Sequence, residues 1–321
     1  MIGITMLLVL LGFSMTISTL DISISTVASA ILHFNGSKEH MIIHSIYMPR
    51  AILTVCIGAN LAVAGVLMQA LTRNALASPG TFGINAGAAF VMVFSSVLYP
   101  NIDSLWRMLV AFVGGGFTAL IVYIISTSTT GRNTEIKMAL TGVTIQSLFL
   151  SFTQSVLIFN EQKTETILFW LAGSVAGKGW TEVYLILPWS VTILILACCF
   201  GKFISILALG EEVASGLGLR VSIIRFIITL LVIILAGTSV SVAGPIGFIG
   251  LVVPHIVRQL VGDDYRILIP LSGIFGSLLL VIADMTARFI SFPYETPVGV
   301  VTALCGAPYF IYLMRRKRRI S

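Results

Sequence analysis

Residues 222–242 read SIIRFIITLLVIILAGTSVSV, with Arg225 as the one charged side chain in 21 positions. A bilayer core about 30 Å thick needs about 20 consecutive apolar residues in a helix to cross it. Inside lipid every backbone amide must bond within its own segment, and a helix achieves this. The stretch therefore reads as a membrane-spanning helix.

The same pattern recurs along the chain. Apolar runs separated by polar breaks fall at about 2–20, 48–70, 80–99, 106–126, 137–159, 182–202, 222–242, 245–261, 267–288 and 297–314. Ala243-Gly244-Pro245 makes a tight turn between the seventh and eighth. The segment 160–181 is mixed, and Glu165 to Val175 is expected to form a short interfacial helix. Composition agrees: of 321 residues 57% are hydrophobic and 10% charged, and mean hydropathy is +1.03. A soluble domain carries about 25% charged residues, so a water-soluble fold is excluded. No polar stretch is long enough for a separate soluble domain. The expected fold is all-α and integral to the membrane, one domain over 1–321 with about ten transmembrane helices.

The first 20 residues hold no Lys or Arg, so they read as the first span and not as a cleavable signal. Cytoplasmic loops carry an excess of basic residues. With both termini in the cytoplasm, thirteen bases lie inside and six outside. The basic tail Arg315–Arg319 then anchors the last span against anionic headgroups. A net charge of +6, spread between apolar runs, is not the gathered basic face that nucleic acid requires.

No catalytic constellation emerges. Gly173 to Gly179 has three residues between its glycines where a phosphate-binding loop has four, and it ends in Gly179 where Ser or Thr would hold magnesium. His255 has no HExxH context, and the four histidines form no metal set. The cysteines 56, 198, 199 and 305 sit inside apolar runs without paired spacing. Asp263-Asp264 reads as a solvated turn. No cofactor is implied. Asp284, deep in the ninth span with Arg288 at i+4, suggests a buried ion pair or a proton-relay acid. Asn60 and Gln69 suggest bonds between helices. Gly83 and Gly87, and the glycines at 244, 247 and 250, suggest close helix packing.

The polar interruption 203–221 is the most informative loop. Leu209, Val213 and Leu217 fall at i, i+4 and i+8, on one helical face. Glu211 and Glu212 stand where a helix N-terminus favours anions, and Gly216 and Gly218 can end the turn. A short exposed helix of this kind suits a groove on another protein.

These residues also carry a resemblance. In order, the chain shows Met48-Pro49-Arg50, GANLAVAG at 58–65, MQALTRNALASPG at 68–80, the Gly210-Glu211-Glu212…Gly216-Leu217-Gly218 stretch, GPIGFIGLVVPHIVR at 244–258 and ETPVGVVTALCGAP at 295–308. It resembles, along nearly its whole length, the permease subunits of ABC importers for iron-siderophores, haem and vitamin B12 (FecCD-type permeases). The resemblance implies two permease subunits, identical or paralogous, enclosing one pathway, and two separate cytoplasmic ATPases. It implies an extracytoplasmic binding protein that delivers cargo, with ferric siderophores the first expectation and haem or cobalamin the alternatives. The chain itself is then no enzyme. The ATPases dock on Gly210, Glu211, Glu212, Val213, Ala214, Ser215, Gly216, Leu217 and Gly218. Arg50 and Arg288 pair with acids of the binding protein. Asn74 and Leu76 close the pathway on the cytoplasmic side, with the Gly131–Lys137 loop as a further gate. The chain departs from the pattern at Tyr47, where the family often has arginine, and at Ala75, where it usually has proline.

Overall fold

The computed structural model describes residues 2–16, 22–99, 103–128, 134–160, 164–290 and 294–317. Gly131 and Arg132 of the expected gate loop, and Arg318 and Arg319 of the tail, lie outside these residues. The described residues are helical and contain no strand. In chain order the α-helices are α1 (Ile2–Thr16), α2 (Ile24–Leu32), α3 (Lys38–Ile42), α4 (Met48–Thr72), α5 (Ile84–Leu98), α6 (Ser104–Ser128), α7 (Thr134–Ile158), α8 (Thr164–Leu171), α9 (Trp180–Ala208), α10 (Glu211–Gly216), α11 (Val221–Ala243), α12 (Ile249–Val261), α13 (Tyr265–Ile290) and α14 (Val298–Lys317). A π-turn over Ile43–Tyr47 joins α3 to α4, and a 3-10 turn over Pro79–Phe82 precedes α5.

Each of the ten apolar runs coincides with one helix. Among the described residues, six segments are long and apolar enough to cross a membrane: Lys38–Thr72, Ser104–Ser128, Ile136–Ile158, Trp180–Ala208, Val221–Ala243 and Tyr265–Ile290. Three apolar helices, Ile2–Thr16, Ile84–Leu98 and Ile249–Val261, are shorter over their described residues, and the apolar stretch Val298–Tyr312 is the first part of α14. At 1.5 Å per residue, the 13 residues of Ile249–Val261 span about 20 Å.

The bundle is built around α4, which is buried along nearly its whole length and packs on α13, α11, α9 and α12. Its sequence explains this placement. Small residues recur from Gly58 to Gly65, and in lipid close backbone approach replaces the hydrophobic effect as the source of helix association. A methyl group on Gly58 would collide with the Gly276 carbonyl of α13, and one on Gly65 with the Gly250 carbonyl of α12. The GxxxG at Gly83–Gly87 serves the same end. A methyl on Gly87 would strike Thr118 of α6, whose hydroxyl is committed to the Gly114 carbonyl at 2.8 Å.

Two polar side chains inside this core bond between helices. Asn60 Nδ2 donates to Ser190 Oγ of α9 at 2.7 Å, and Ser277 of α13 donates to the Val55 carbonyl at 2.8 Å. Pro188, Pro254, Pro270 and Pro308 all fall inside helices, where neighbouring groups can satisfy the freed carbonyls.

Helix α7 stands apart, for most of its residues lie outside the packed interior of the bundle. Thr144, Ser147, Ser151 and Ser155 lie exposed along one face, each hydroxyl bonded back to a carbonyl four residues earlier.

Candidate functional site

Three places on the bundle carry the residues singled out above. The C-terminal ends of α4, α9 and α12 and the N-terminal ends of α11 and α13 meet at one end of the bundle. The docking stretch stands there. Helix α10 covers Glu211–Gly216, flanked by Gly210 at φ 128 and Gly218 at φ 82, both in the region that favours glycine. Leu217 closes back on the Val213 carbonyl at 3.0 Å, and Leu219 on the Ala214 carbonyl at 3.0 Å. Ala214 is buried against the bundle, whereas Leu209, Val213 and Leu217 all face outward and are exposed. Val213 and Leu217, between the two glycines, and Leu209, just before them at the end of α9, together present an exposed apolar knob. Glu211 is ion-paired with Arg225, one turn into α11.

The expected gate residues lie at the same end. Arg73 takes the left-handed conformation (φ 46) and turns the chain out of α4. Asn74 then shapes the turn: its Oδ1 accepts from the Leu76 amide at 3.0 Å, and its carbonyl accepts from the Ala77 amide at 3.0 Å. The side-chain bond fixes a bend at the position where the family pattern uses proline, and Ala75 adopts it. Asn74 and Leu76 line a cavity of about 290 Å³ with Met68, Thr72 and Thr81 on one side and Met138 on the other. The cavity thus joins the end of α4 to the start of α7.

A second cavity, of about 400 Å³, lies between the ends of α4, α9 and α12. Arg258 spans it, donating from Nη1 to Gln69 Oε1 at 2.9 Å and pairing through Nε with Asp263 at 2.8 Å. Asp264 is engaged by Arg266, Nη2 to Oδ2 at 2.7 Å. That side-chain hydrogen bond holds the Asp264 carboxyl below the usual carboxylate range. The acid pair is therefore a turn tied to two arginines.

At the opposite end, Asp284 is 1% exposed, and both of its oxygens are engaged. Arg50 Nε and Nη2 donate to Oδ1 at 3.2 and 2.9 Å, and Arg288 donates to Oδ2. Arg50 Nη1 also bonds Glu295 Oε1 at 2.6 Å. Arg288 bonds the Ser14 carbonyl at 2.9 Å and the Ser14 hydroxyl at 3.0 Å. Two guanidiniums and two carboxylates make a neutral cluster that ties α1, α4 and α13 to the loop before α14. The expected Asp284–Arg288 pair is thus real but larger than its i,i+4 spacing suggests. Tyr47 lies with its ring 5.9 Å from the Arg288 guanidinium carbon. At this position an aromatic face meets the cation where a third cation would have unbalanced the cluster.

Arg50 and Arg288, expected as docking residues, are 4% and 9% exposed and are turned inward. The exposed member is Glu295, whose side chain is 42% accessible. Sequence reading left Glu295 and Arg225 without a role. Their partners are 245 and 14 residues away in the chain, beyond the reach of any local spacing rule.

The stretch Gly173–Gly179 forms no anion cradle. The Ser174 amide donates to the Ala243 carbonyl at 2.7 Å, and the Gly173 carbonyl accepts from the Gly299 amide at 2.9 Å. It staples α11 to α14. Beside it Lys178 is pushed below its ordinary value by burial, with Glu182 opposing and Arg107 adding to the shift. Among the described residues no three His, Cys, Asp or Glu side chains group to hold a metal.

The model of the FecCD transport family matches residues 6–316. The Fe(3+)-citrate import system permease protein YfmD of Bacillus subtilis is 46% identical over 97% of this chain and 92% of its own. The iron(3+)-hydroxamate import system permease protein FhuB of the same organism is 40% identical over 95% of this chain and 80% of its own. A solved inward-facing ABC transporter chain superposes with a TM-score of 0.86 at 25% identity, covering 98% of this chain and 97% of that one. Ten apolar helices with α4 buried among them, an exposed apolar knob at one end, and a family match from residue 6 to 316 lead to one assignment: this multi-pass membrane protein belongs to the FecCD transport family.

Proposed function

We infer that the chain is the membrane-embedded permease subunit of an ATP-driven importer of ferric chelates, with siderophores and ferric citrate the first candidates. The similarity to ferric-citrate and ferric-hydroxamate permeases supports the cargo class. The observation that carries the coupling mechanism is the α10 knob. Its exposed Val213 and Leu217, with Leu209 beside them at the end of α9, are suited to a groove on a cytoplasmic ATPase, while its buried Ala214 keeps it fastened to the bundle.

All ten apolar helices cross the membrane in this reading. Both termini are cytoplasmic, and the basic tail lies against anionic headgroups. A second permease subunit, a copy or a paralogue, completes the pathway. The sparsely covered α7, with its exposed hydroxyl stripe, faces that pathway. Hydroxyls whose donors are already spent on backbone carbonyls offer only weak acceptors, which suits cargo that must not be held. Asn74 and Leu76 form the cytoplasmic gate, since the cavity they line opens or closes as α4 and α7 shift. At the other end, Arg50 and Arg288 reach a binding protein only by exchanging an internal carboxylate, and Glu295 is the one exposed enough to leave.

An ion-coupled carrier would need a buried acid free to relay a proton. Asp284 is the acid placed for that role, and both its oxygens are committed to arginines.

Cells stripped of their own ferric-chelate permeases provide the test of cargo. Supplied with this chain, its second subunit, its ATPase and its binding protein, they are expected to regain uptake of radioiron-labelled ferric citrate or a ferric hydroxamate. Accumulation of labelled haem or cobalamin in place of ferric chelates would reassign the cargo.

A further inference from the structure

The α10 knob sits between two glycine hinges. Gly210 and Gly218 on its flanks hold positive φ, and a methyl group at either would meet nothing within 4 Å. A helix of six residues on two such hinges swivels unless something fixes its angle. Ala214 packing fixes one side. The Glu211–Arg225 ion pair fixes the other.

Arg225 is well placed to carry load. Its side chain is 11% exposed, whereas that of Glu211 is 47% exposed, so the pair runs from the surface into the bundle. The neighbouring Phe226 ring lies 6.2 Å from Tyr123 of α6. The Thr229 hydroxyl bonds the Arg225 carbonyl at 2.9 Å. From there α11 is buried against α4, α6 and α9, and α4 ends in the Asn74–Leu76 turn.

We propose that Arg225 is a positioning residue: its ion pair with Glu211 is the strut that converts a displacement of the α10 knob into a displacement of α11 and, through it, of α4. The strut rests on the reading of α10 as the ATPase dock. Packing through Ala214 resists compression but not rotation about the glycines. A charge pair resists both, because its geometry is directional. Without the strut, ATPase engagement turns the knob and leaves the gate behind.

The test measures chelate uptake per ATP hydrolysed in proteoliposomes holding the full transporter, together with capture of the ATPase by the permease in detergent. Arg225→Gln is expected to retain ATPase capture and to lower uptake per ATP about fivefold, the scale of equilibrium bias a pair of this exposure supplies. At equal ATPase capture, the double variant Glu211→Gln/Arg225→Gln is expected to give no lower uptake per ATP than Arg225→Gln alone, since the second change removes nothing further from the strut. The charge swap Glu211→Arg/Arg225→Glu, compared at equal ATPase capture because Glu211 also lies in the docking stretch, is expected to recover at least part of the uptake per ATP lost in Arg225→Gln, the pair being restored in reverse. Should Arg225→Gln insert poorly, Arg225→Lys, which keeps the charge and loses the planar fork, replaces it and is expected to fall between the two. Independent, multiplicative losses in the double variant, with no recovery in the swap, would overturn the strut while leaving the dock intact. If ATPase capture is unchanged even by acidic substitutions at Val213 and Leu217, the dock itself is misplaced and the strut falls with it.

Discussion

Asp284→Asn is expected to lower the stability of the folded protein by about 3–5 kcal/mol, the range seen when one partner of a buried ion pair is removed. The cluster around it is neutral, with Arg50 and Arg288 balanced by Asp284 and Glu295. Asparagine keeps the shape but leaves one positive charge uncompensated at a site 1% exposed. It also offers one oxygen acceptor where the carboxylate served both arginines. In a thermal-unfolding measurement in detergent this should appear as a fall of about 5–10 °C in the midpoint. The double variant Asp284→Asn/Arg288→Gln restores neutrality and should regain about half of the loss. A fall within about 1 kcal/mol for Asp284→Asn, the scale of an exposed pair, would show that water reaches the cluster and that it does not fasten α1, α4 and α13 together.

The second large effect concerns transport without touching the fold. Val213→Glu combined with Leu217→Glu places two carboxylates on the outward face of α10, where both side chains are exposed. Surface substitutions of this kind change stability by about 0.5 kcal/mol or less, so the protein should insert and purify as before. Burying a charge in a docked apolar groove is another matter. Loss of a central apolar anchor alone costs 2 kcal/mol or more at an interface, and the unpaired charge adds to it. ATPase capture should therefore weaken by at least about 30-fold and ATP-driven uptake should disappear. Unchanged uptake in this variant would remove α10 from the coupling path.

Much of the architecture is legible in the chain because lipid imposes a simple rule: each crossing must be a long apolar helix. The runs at 48–70, 222–242 and 267–288 match Met48–Thr72, Val221–Ala243 and Tyr265–Ile290 to within two residues at either end. The run at 182–202 continues six residues further, to Ala208, because Lys202 lies exposed on the surface and does not break the helix. The segment 21–47 is harder to read. Helices α2 and α3 are too short for periodicity to identify. Their signals are local instead: Ser23 caps α2 by accepting from the Thr26 amide at 3.2 Å, and Ser37 caps α3 by accepting from the His40 amide at 3.4 Å. Helix α8 ends at Leu171, earlier than the expected Val175, because Gly173 takes φ 78.

Site residues divide along the same line. The hinge glycines and apolar face of α10 are written in adjacent positions. So is the Asn74 turn. The charge pairs are not, because Arg50 meets Glu295 only after α4 and α13 have packed antiparallel through Gly58 and Gly276.

One measurement bears on the whole account: uptake of labelled ferric chelate into proteoliposomes built from purified components, with ATP inside the lumen that represents the cytoplasm. Accumulation is expected only when the second permease subunit, the binding protein and the ATPase are all present, and none is expected from the chain alone under a proton or sodium gradient. Accumulation by the permease without an ATPase, or ATP hydrolysis by the purified chain itself, would contradict it.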